Sequence, residues 1–490
     1  MKRIVLVFLA AFFSVSSFAQ IDTLKQERQT PPSIKKWNLK ECIDYALANN
    51  LTVERSELGV GSAEVDFDQA RLSRLPSING AASYGSSWGR GLDPVTNSFA
   101  AQQINSSNLS ANASWLLFNG LRQHNTVNQT RSSLGASEQD LLKAKNDLIL
   151  NVAALFINVV FNKELVQNAR FQLASSQQQL ERARKQVEAG SLPLSEQLNL
   201  DAQVASNEVT LVQQENALAL SILRLKQALR IPASEAFDAE VPQLEPEDLV
   251  IDQSRDEIFS IARQSMPEVK AAQLRIQSTR FALKAARGSL FPRITLNGAI
   301  NTNYSSAQNV RFYPDGTFFF APDAEPVAYL NQDLSQGIYT LNRGGEFRDY
   351  GAIDQFQDNI YKTLGVNLSI PIFNGYATRA SIRRSSIQHR LAQITAQETE
   401  QTLRQSVETA YNDALSSSKT YNASLRQVKA REEAYRMMDQ RLQAGSANSF
   451  EVQVSQNSLF QAQTDLARAK YDFIFKKKVL DFYQGKSLEY

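Results

Sequence analysis

Four stretches of the chain alternate apolar and polar residues with period two. In 77–89, Ile78, Ala82, Tyr84 and Trp88 share one parity while Ser77, Asn79, Ser83 and Ser87 share the other. In 108–117, Leu109, Ala111, Ala113, Trp115 and Leu117 alternate with Asn108, Ser110, Asn112 and Ser114. Ile294, Leu296 and Ile300 oppose Thr295, Asn297 and Asn301 in 293–303, and Leu364, Val366, Leu368, Ile370 and Ile372 oppose Thr363, Asn367 and Ser369 in 363–372. This period predicts β-strands with one apolar and one polar face. Each is about 10 residues long, the length a tilted strand needs to cross a bilayer. They read as the only strands in the chain.

The strands come in pairs, and each pair is followed by a helical stretch of very different scale. Segments 121–188 and 376–443 contain no proline and would each reach roughly 100 Å at 1.5 Å per residue. Apolar residues recur every seven along them: Val166, Leu173, Leu180 and Val187 in the first, Tyr421, Val428, Tyr435 and Leu442 in the second. A narrow seam of this kind predicts coiled-coil pairing with wide wetted faces. Each stretch ends at an Ala-Gly-Ser, Ala189–Ser191 or Ala444–Ser446, where glycine suits a helix C-terminus and Glu196 or Glu451 suits the start of a returning helix. Helical patterns at 38–75 and 255–291 lead into the strands, broken at Asn49-Asn50-Leu51 and Met266-Pro267, and Asn38 with Glu41 fits a capping box.

These elements are written twice. Phe118-Asn119-Gly120 returns as Phe373-Asn374-Gly375, an offset of 255 that also aligns Gly190-Ser191 with Gly445-Ser446. Upstream the offset is 216, aligning Val53 with Val269, Ala70-Arg71 with Ala286-Arg287 and Pro76 with Pro292. The chain therefore divides into repeat 1 (38–230), an acidic, proline-containing linker (231–253), repeat 2 (254–484) and a tail (485–490). Each FNG marks the passage from a strand into a long helix. Insertions at 90–107 and 305–361 separate the paired strands, as outward loops do in membrane barrels.

Composition narrows the class. A chain of 490 residues exceeds one ordinary core, and 52 basic against 50 acidic residues give no electrostatic case for nucleic acid. Residues 1–19 have the basic start, apolar run and small residues of a secretory signal cleaved after Ala19, leaving 20–37 as an N-terminal segment. No later stretch of about 18 apolar residues stands out as a helical span. Cys42 is the only cysteine and reads as buried packing. His124 and His389 match no metal-ligand spacing and no phosphate loop is present, so neither a catalytic nor a cofactor or metal site is expected.

Two readings of the strands remain: four strands of a soluble sandwich, or membrane strands. Trp88 and Trp115 at strand ends, with Tyr304 and Tyr361 just beyond two others, fit an interfacial aromatic girdle and favour the membrane. Four strands cannot close a barrel, since the smallest has about eight, so an oligomer is implied. A non-conducting secreted coiled-coil stalk would explain the helices equally well but leaves the strands without a role.

The early "WNLKECIDYALANN" (37–50), the "AR…LP" exits near 70–76 and 286–292, the "LFNG" and "IFNG" junctions and the two "AGS…E" tips closely resemble the TolC-like outer-membrane efflux family, from Trp37 to Gln484. The resemblance implies a mostly α-helical fold with a small β contribution: long antiparallel coiled-coil hairpins forming a periplasmic α-barrel, and four transmembrane strands per chain. A homotrimer would supply a 12-stranded barrel in the outer membrane of a Gram-negative bacterium. It further implies a passive exit duct of a tripartite efflux or type I secretion system, partnered by a periplasmic adaptor (membrane fusion) protein and an inner-membrane RND or ABC transporter. By position, Gly190, Ser191, Gly445 and Ser446 would dock the adaptor. Glu196, Leu442 and Glu451 fall where a periplasmic constriction is expected. Val454 stands where the family often has a second acid, and Leu442 where it sometimes has tyrosine. Glu451 also suits a plain helix-start charge.

Overall fold

The computed structural model describes residues 36–89, 91–92, 99–100, 103–241, 253–320, 326, 328–330, 332, 337–339 and 341–486. The signal segment 1–19, residues 20–35, half of the insertion at 90–107, part of the insertion at 305–361, residues 242–252 of the linker and the tail from 487 lie outside the described residues.

In chain order the elements are β1 (Lys36–Trp37), α1 (Leu39–Asn49), α2 (Leu51–Leu72), β2 (Ser77–Ser87), β3 (Gly91–Leu92), β4 (Phe99–Ala100), β5 (Ile104–Phe118), α3 (Arg122–Glu188), α4 (Leu194–Leu229) and β6 (Asp238–Ala239). The second half holds α5 (Arg255–Ser265), α6 (Pro267–Gly288), β7 (Arg293–Ser305), β8 (Val310–Phe319), β9 (Ala328–Tyr329), β10 (Gly337–Ile338), β11 (Asn342–Asp349), α7 (Ala352–Asp358), β12 (Tyr361–Ser369), α8 (Ala377–Gln443) and α9 (Ser449–Tyr483). Local chemistry sets the helix boundaries. Asn38 accepts the Glu41 N–H at 2.8 Å while the Glu41 carboxylate accepts the Asn38 N–H at 3.2 Å. Asn50 ends α1 and accepts the Thr52 N–H at 2.8 Å to open α2. In the second half Ser254 and Glu257 form the corresponding box, and Pro267 occupies the first turn of α6, where its missing N–H costs nothing.

The main sheet is antiparallel with strand order β12-β7-β5-β2. The helices continue that order: α8 packs on α6, α6 on α3 and α3 on α2. Farther along, α8 packs on α9, α9 on α3 and α3 on α4. The chain is thus one stave, four strands wide and then four helices wide. Among the described residues no second layer covers the main part of the sheet: Ile78, Tyr84, Leu364 and Val366 are all about two-thirds exposed or more.

The two strand pairs share one register. Ser77 faces Ser114 and Arg293 faces Ser369, which are the same pair once 216 is added to the first residue and 255 to the second, and the agreement continues along both hairpins. The cores agree in the same way. Cys42, Ala46, Val53, Val152 and Leu225 are buried where α1, α2, α3, α4 and α9 meet. At the offset positions, Ile258, Ala262, Val269, Val407 and Leu480 are buried where α5, α6, α8 and α9 meet. Cys42 is fully buried, as packing requires. A third cluster of Leu180, Ala183, Leu200 and Val204 fills the seam of the first hairpin near its tip.

Several expectations need correction. The four strands are not the only ones: the insertion at 305–361 carries the antiparallel pair β8–β11 and helix α7, where Gly, Pro and aromatic residues obscured the alternation. β12 stops at Ser369, leaving Ile370 and Ile372 outside it, because Pro371 cannot donate to a ladder. Tyr304 and Tyr361 lie inside strands rather than beyond them, and β5 begins at Ile104, inside the supposed first insertion. The start of the linker is anchored, since β6 pairs in parallel with β1 and Lys163 bonds Asp238 and the Ala239 carbonyl. Finally, α3 does contain an 18-residue window of mean hydropathy 1.6. Half of that window is buried within the chain, and Val152, Phe156, Val159 and Val160 supply much of the first core.

Candidate functional site

The strand faces form the first part of the site. Register sets side-chain direction, so opposed residues share a face. Asn79 opposes Asn112, Ser114 opposes Asn297 and Asn367 opposes Thr295, giving one polar face across all four strands. On it Ser114 Oγ donates to Asn297 Oδ1 at 2.9 Å. Asn79, Asn112, Asn297 and Thr363 line a shallow groove there, and Ser83, Asn108 and Asn303 line another. The opposite face carries Ile78, Leu109, Leu296, Val366 and Leu368. Trp88 follows the far end of β2 and is 74% exposed. Trp115 sits near the other end of the sheet, its indole N–H donating to the Arg74 carbonyl at 2.8 Å.

The junctions turn strand into helix. Asn119 accepts the Gln123 N–H at 3.2 Å, and Asn374 bonds Thr378 through its amide nitrogen at 2.6 Å. Gly120 and Gly375 have φ of 66° and 61°, and the next residues, Leu121 and Tyr376, are also left-handed at 59° and 70°. Two successive left-handed residues reverse the chain sharply, and the second is a non-glycine that sequence reading did not single out. Their surroundings differ. A Cβ on Gly120 would sit 2.2 Å from the Gly288 carbonyl oxygen, whereas one on Gly375 would meet nothing within 4 Å. Phe118 is 39% exposed and Phe373 88%.

The tips are built alike. Gly190 and Gly445 both have φ of 72°. Ser191 donates N–H and Oγ to the Gln186 carbonyl, and Ser446 does the same to Arg441. These are left-handed helix endings that satisfy terminal carbonyls. The helix starts differ. Pro193 opens α4 with no side-chain cap, while Asn448 and Glu451 form a capping box at 2.8 and 3.1 Å. The Glu451 carboxylate is therefore engaged at its own helix start. Glu196 instead accepts a hydrogen bond from Ser449 Oγ of the other hairpin. Leu442 lies half-buried in the last turn of α8.

Sequence reading missed what joins the hairpins. Gln172 donates to Asn457 at 3.1 Å, Gln179 to Gln456 at 2.8 Å, and Gln456 in turn to Ser175 at 2.7 Å. Gln172 and Gln456 are buried. Composition alone does not distinguish a solvated glutamine on a wetted helix face from a paired one. Among the described residues no group of three His, Cys, Asp or Glu side chains is placed to hold a metal.

Comparison with known proteins agrees with this architecture. The chain is 20% identical over 436 residues to the outer membrane efflux protein BepC of Brucella suis, covering 88% of this chain and 81% of BepC. It is 22% identical to nodulation protein T of Rhizobium leguminosarum bv. viciae, covering 88% and 78%. The solved structure of CusC superposes with a TM-score of 0.71 over 92% of each chain at 19% identity. The outer membrane protein VceC of Vibrio cholerae gives 0.68 over 92% and 97% at 16% identity. Residues 42–229 and 258–480 match the family model described as outer membrane efflux protein, and the chain belongs to that family.

Proposed function

We propose that three copies of this outer-membrane efflux protein assemble into one passive duct, with a 12-stranded barrel in the membrane above a helical tunnel in the periplasm. The observation that carries this reading is the uncovered stave. Its sheet has a polar face, an apolar face and, among the described residues, two unpaired edges, and apart from the end of β7, where α7 packs, no layer of described residues hides the faces. Four strands are too few to close, and three sets of four exceed the minimum of about eight. Lipid suits the apolar face and water the polar one. Substrates pass without any bond being broken, so the chain acts as a conduit and not as an enzyme.

In the same reading the tips face a periplasmic adaptor (membrane fusion) protein through Gly190, Ser191, Gly445 and Ser446. An inner-membrane RND or ABC transporter supplies the substrate. Glu196, Leu442 and Glu451 narrow the periplasmic mouth. The contact between Glu196 and Ser449 supports this, since it brings residues of both tips to one place.

Conductance in planar lipid bilayers tests the proposal, with the purified protein set beside a Glu196→Ala/Glu451→Ala variant. Discrete steps whose ion selectivity changes in the variant are expected. Steps seen only in the variant would mean a duct that rests closed. No conductance from either, with the protein soluble in the absence of detergent, would overturn the membrane reading in favour of a stalk.

A further inference from the structure

Of the residues in the four strands of the main sheet, only Arg293 and Lys362 are charged. Register sets them on opposite faces and at opposite ends. Arg293 opens β7 and opposes Ser369 on the polar face, while Lys362 opposes Ile300 on the apolar face near the far end. The rest of the polar face is uncharged.

A second guanidinium joins Arg293. The close approach of Gly120 to Gly288 brings the first residue of α3 to this end of the sheet, and a Cβ on Gly288 would lie 3.2 Å from the Arg122 Cβ. Arg122 and Arg293 line one groove of about 370 Å³ with Asn119, Ser289 and Ser369, and no described residue lining it is acidic. Both arginines are exposed. Neither stands at an edge of the stave, since β7 lies between β12 and β5, and α3 packs between α6 and α2. An adjoining copy would meet the edges and not this groove.

We infer that Arg122 and Arg293 form a basic ring where the barrel meets the tunnel, and that this ring draws anionic solutes, carboxylates and phosphates among them, into the passage. The inference rests on the trimeric duct and adds a charge preference at one level of its wall. The repeat does not duplicate the pair: the offset counterparts of Arg293 and Arg122 are Ser77 and Ala377. Each copy therefore contributes one pair.

The chemistry favours anions. A guanidinium stays protonated and holds carboxylate or phosphate oxygens two at a time, and rings of arginine or lysine select anions in pores. Twelve strands about 4.8 Å apart and tilted about 40° set the wall roughly 12 Å from the axis. The screening length at physiological ionic strength is about 8 Å, so side chains reaching inward from that wall bias the ions that pass between them. No acid on the strands opposes that sign.

Single-channel reversal potentials across a KCl gradient test the ring. They are measured in the native chain and in the Glu196→Ala/Glu451→Ala variant, so that a closed tip does not silence the channel. Arg122→Gln/Arg293→Gln should lower the chloride-to-potassium permeability ratio at least about threefold at about 0.1 M salt, and each single substitution should give part of that fall. The difference should shrink at about 1 M, where the screening length is about 3 Å. Arg293→Lys keeps the charge and should keep the ratio. Lys362→Gln removes the same charge from the apolar face and should leave the ratio unaltered. An unchanged ratio in the double variant, or an equal shift from Lys362→Gln, would overturn the ring while the duct stands. If no variant conducts, the duct reading fails and the ring with it.

Discussion

Ser449 Oγ donates to the carboxylate of Glu196, joining the first turns of two helices that belong to different hairpins. Both side chains are half-buried. The bond ties the two tips of one chain at the end where the proposed duct would narrow. A hydrogen bond in such a setting contributes about 1 kcal/mol, or roughly a fivefold change in local opening. Ser449→Ala should therefore speed amide hydrogen exchange in 191–197 and 446–452 by roughly fivefold. Unchanged rates would show that the contact contributes nothing to holding the tips.

Glu451 serves its own helix start, which separates capping from any role in ion selectivity. Glutamine can replace glutamate in a capping box, so Glu451→Gln should preserve stability. Asn448→Ala should cost about 1 kcal/mol, read as a lower unfolding midpoint. If Glu451 also contributes to the constriction, Glu451→Gln shifts the cation preference of single channels without shifting that midpoint. Unaltered selectivity would leave Glu451 as a cap alone.

The two FNG glycines should respond unequally. Alanine at either position adopts a left-handed backbone, at about 1–2 kcal/mol. Gly120→Ala also forces a Cβ into the Gly288 carbonyl, adding about 1–3 kcal/mol of overpacking. Thermal unfolding in detergent should rank Gly120→Ala below Gly375→Ala. The reverse order would mean that the Gly375 junction is packed more tightly than Gly120.

Tyr471 lies buried between helices, and burial, with its hydrogen bond to Glu164, pushes the phenol well above its usual range. The sign follows directly. Below pH about 10 the phenol is neutral in both folded and unfolded chains and adds no pH dependence. Above that the unfolded phenol ionises while the folded one does not, so stability falls as pH rises. Denaturant midpoints should drop between pH 10 and 11.5, and Tyr471→Phe should flatten that slope. An equal slope in the variant would assign alkaline loss to other groups.

Gln355 is fully buried where the second insertion meets β7. Its Oε1 accepts the Ser305 N–H at 2.9 Å, and its amide nitrogen meets the carbonyls of Gln308 at 2.7 Å and Tyr350 at 3.1 Å. Gln355→Ala leaves those backbone groups without this partner, at a cost of about 1–3 kcal/mol. Limited proteolysis of the variant should cut within 306–350 while the main sheet survives. Wild-type cleavage rates would show that the β8–β11 pair is held by other contacts.

What the sequence determined by itself was local or periodic. Strand alternation, the heptad seam, the Asn38 cap, the breaks at Asn50 and Pro267 and the glycine tips each depend on residues a few positions apart, where backbone sterics and side-chain period leave few choices. Because these signals occur twice, the offsets 216 and 255 were legible too, and they predict the shared hairpin register. The tertiary structure decided what depends on distant chain meeting. It pairs β1 with β6, sets Gly288 against Gly120, joins Glu196 to Ser449 and turns Gln172 and Gln456 from wetted residues into buried partners. Periodicity states which face an element must cover but not what covers it. The identity of the partner is set by closing loops of a hundred residues or more, and no single window of sequence contains both sides of that contact.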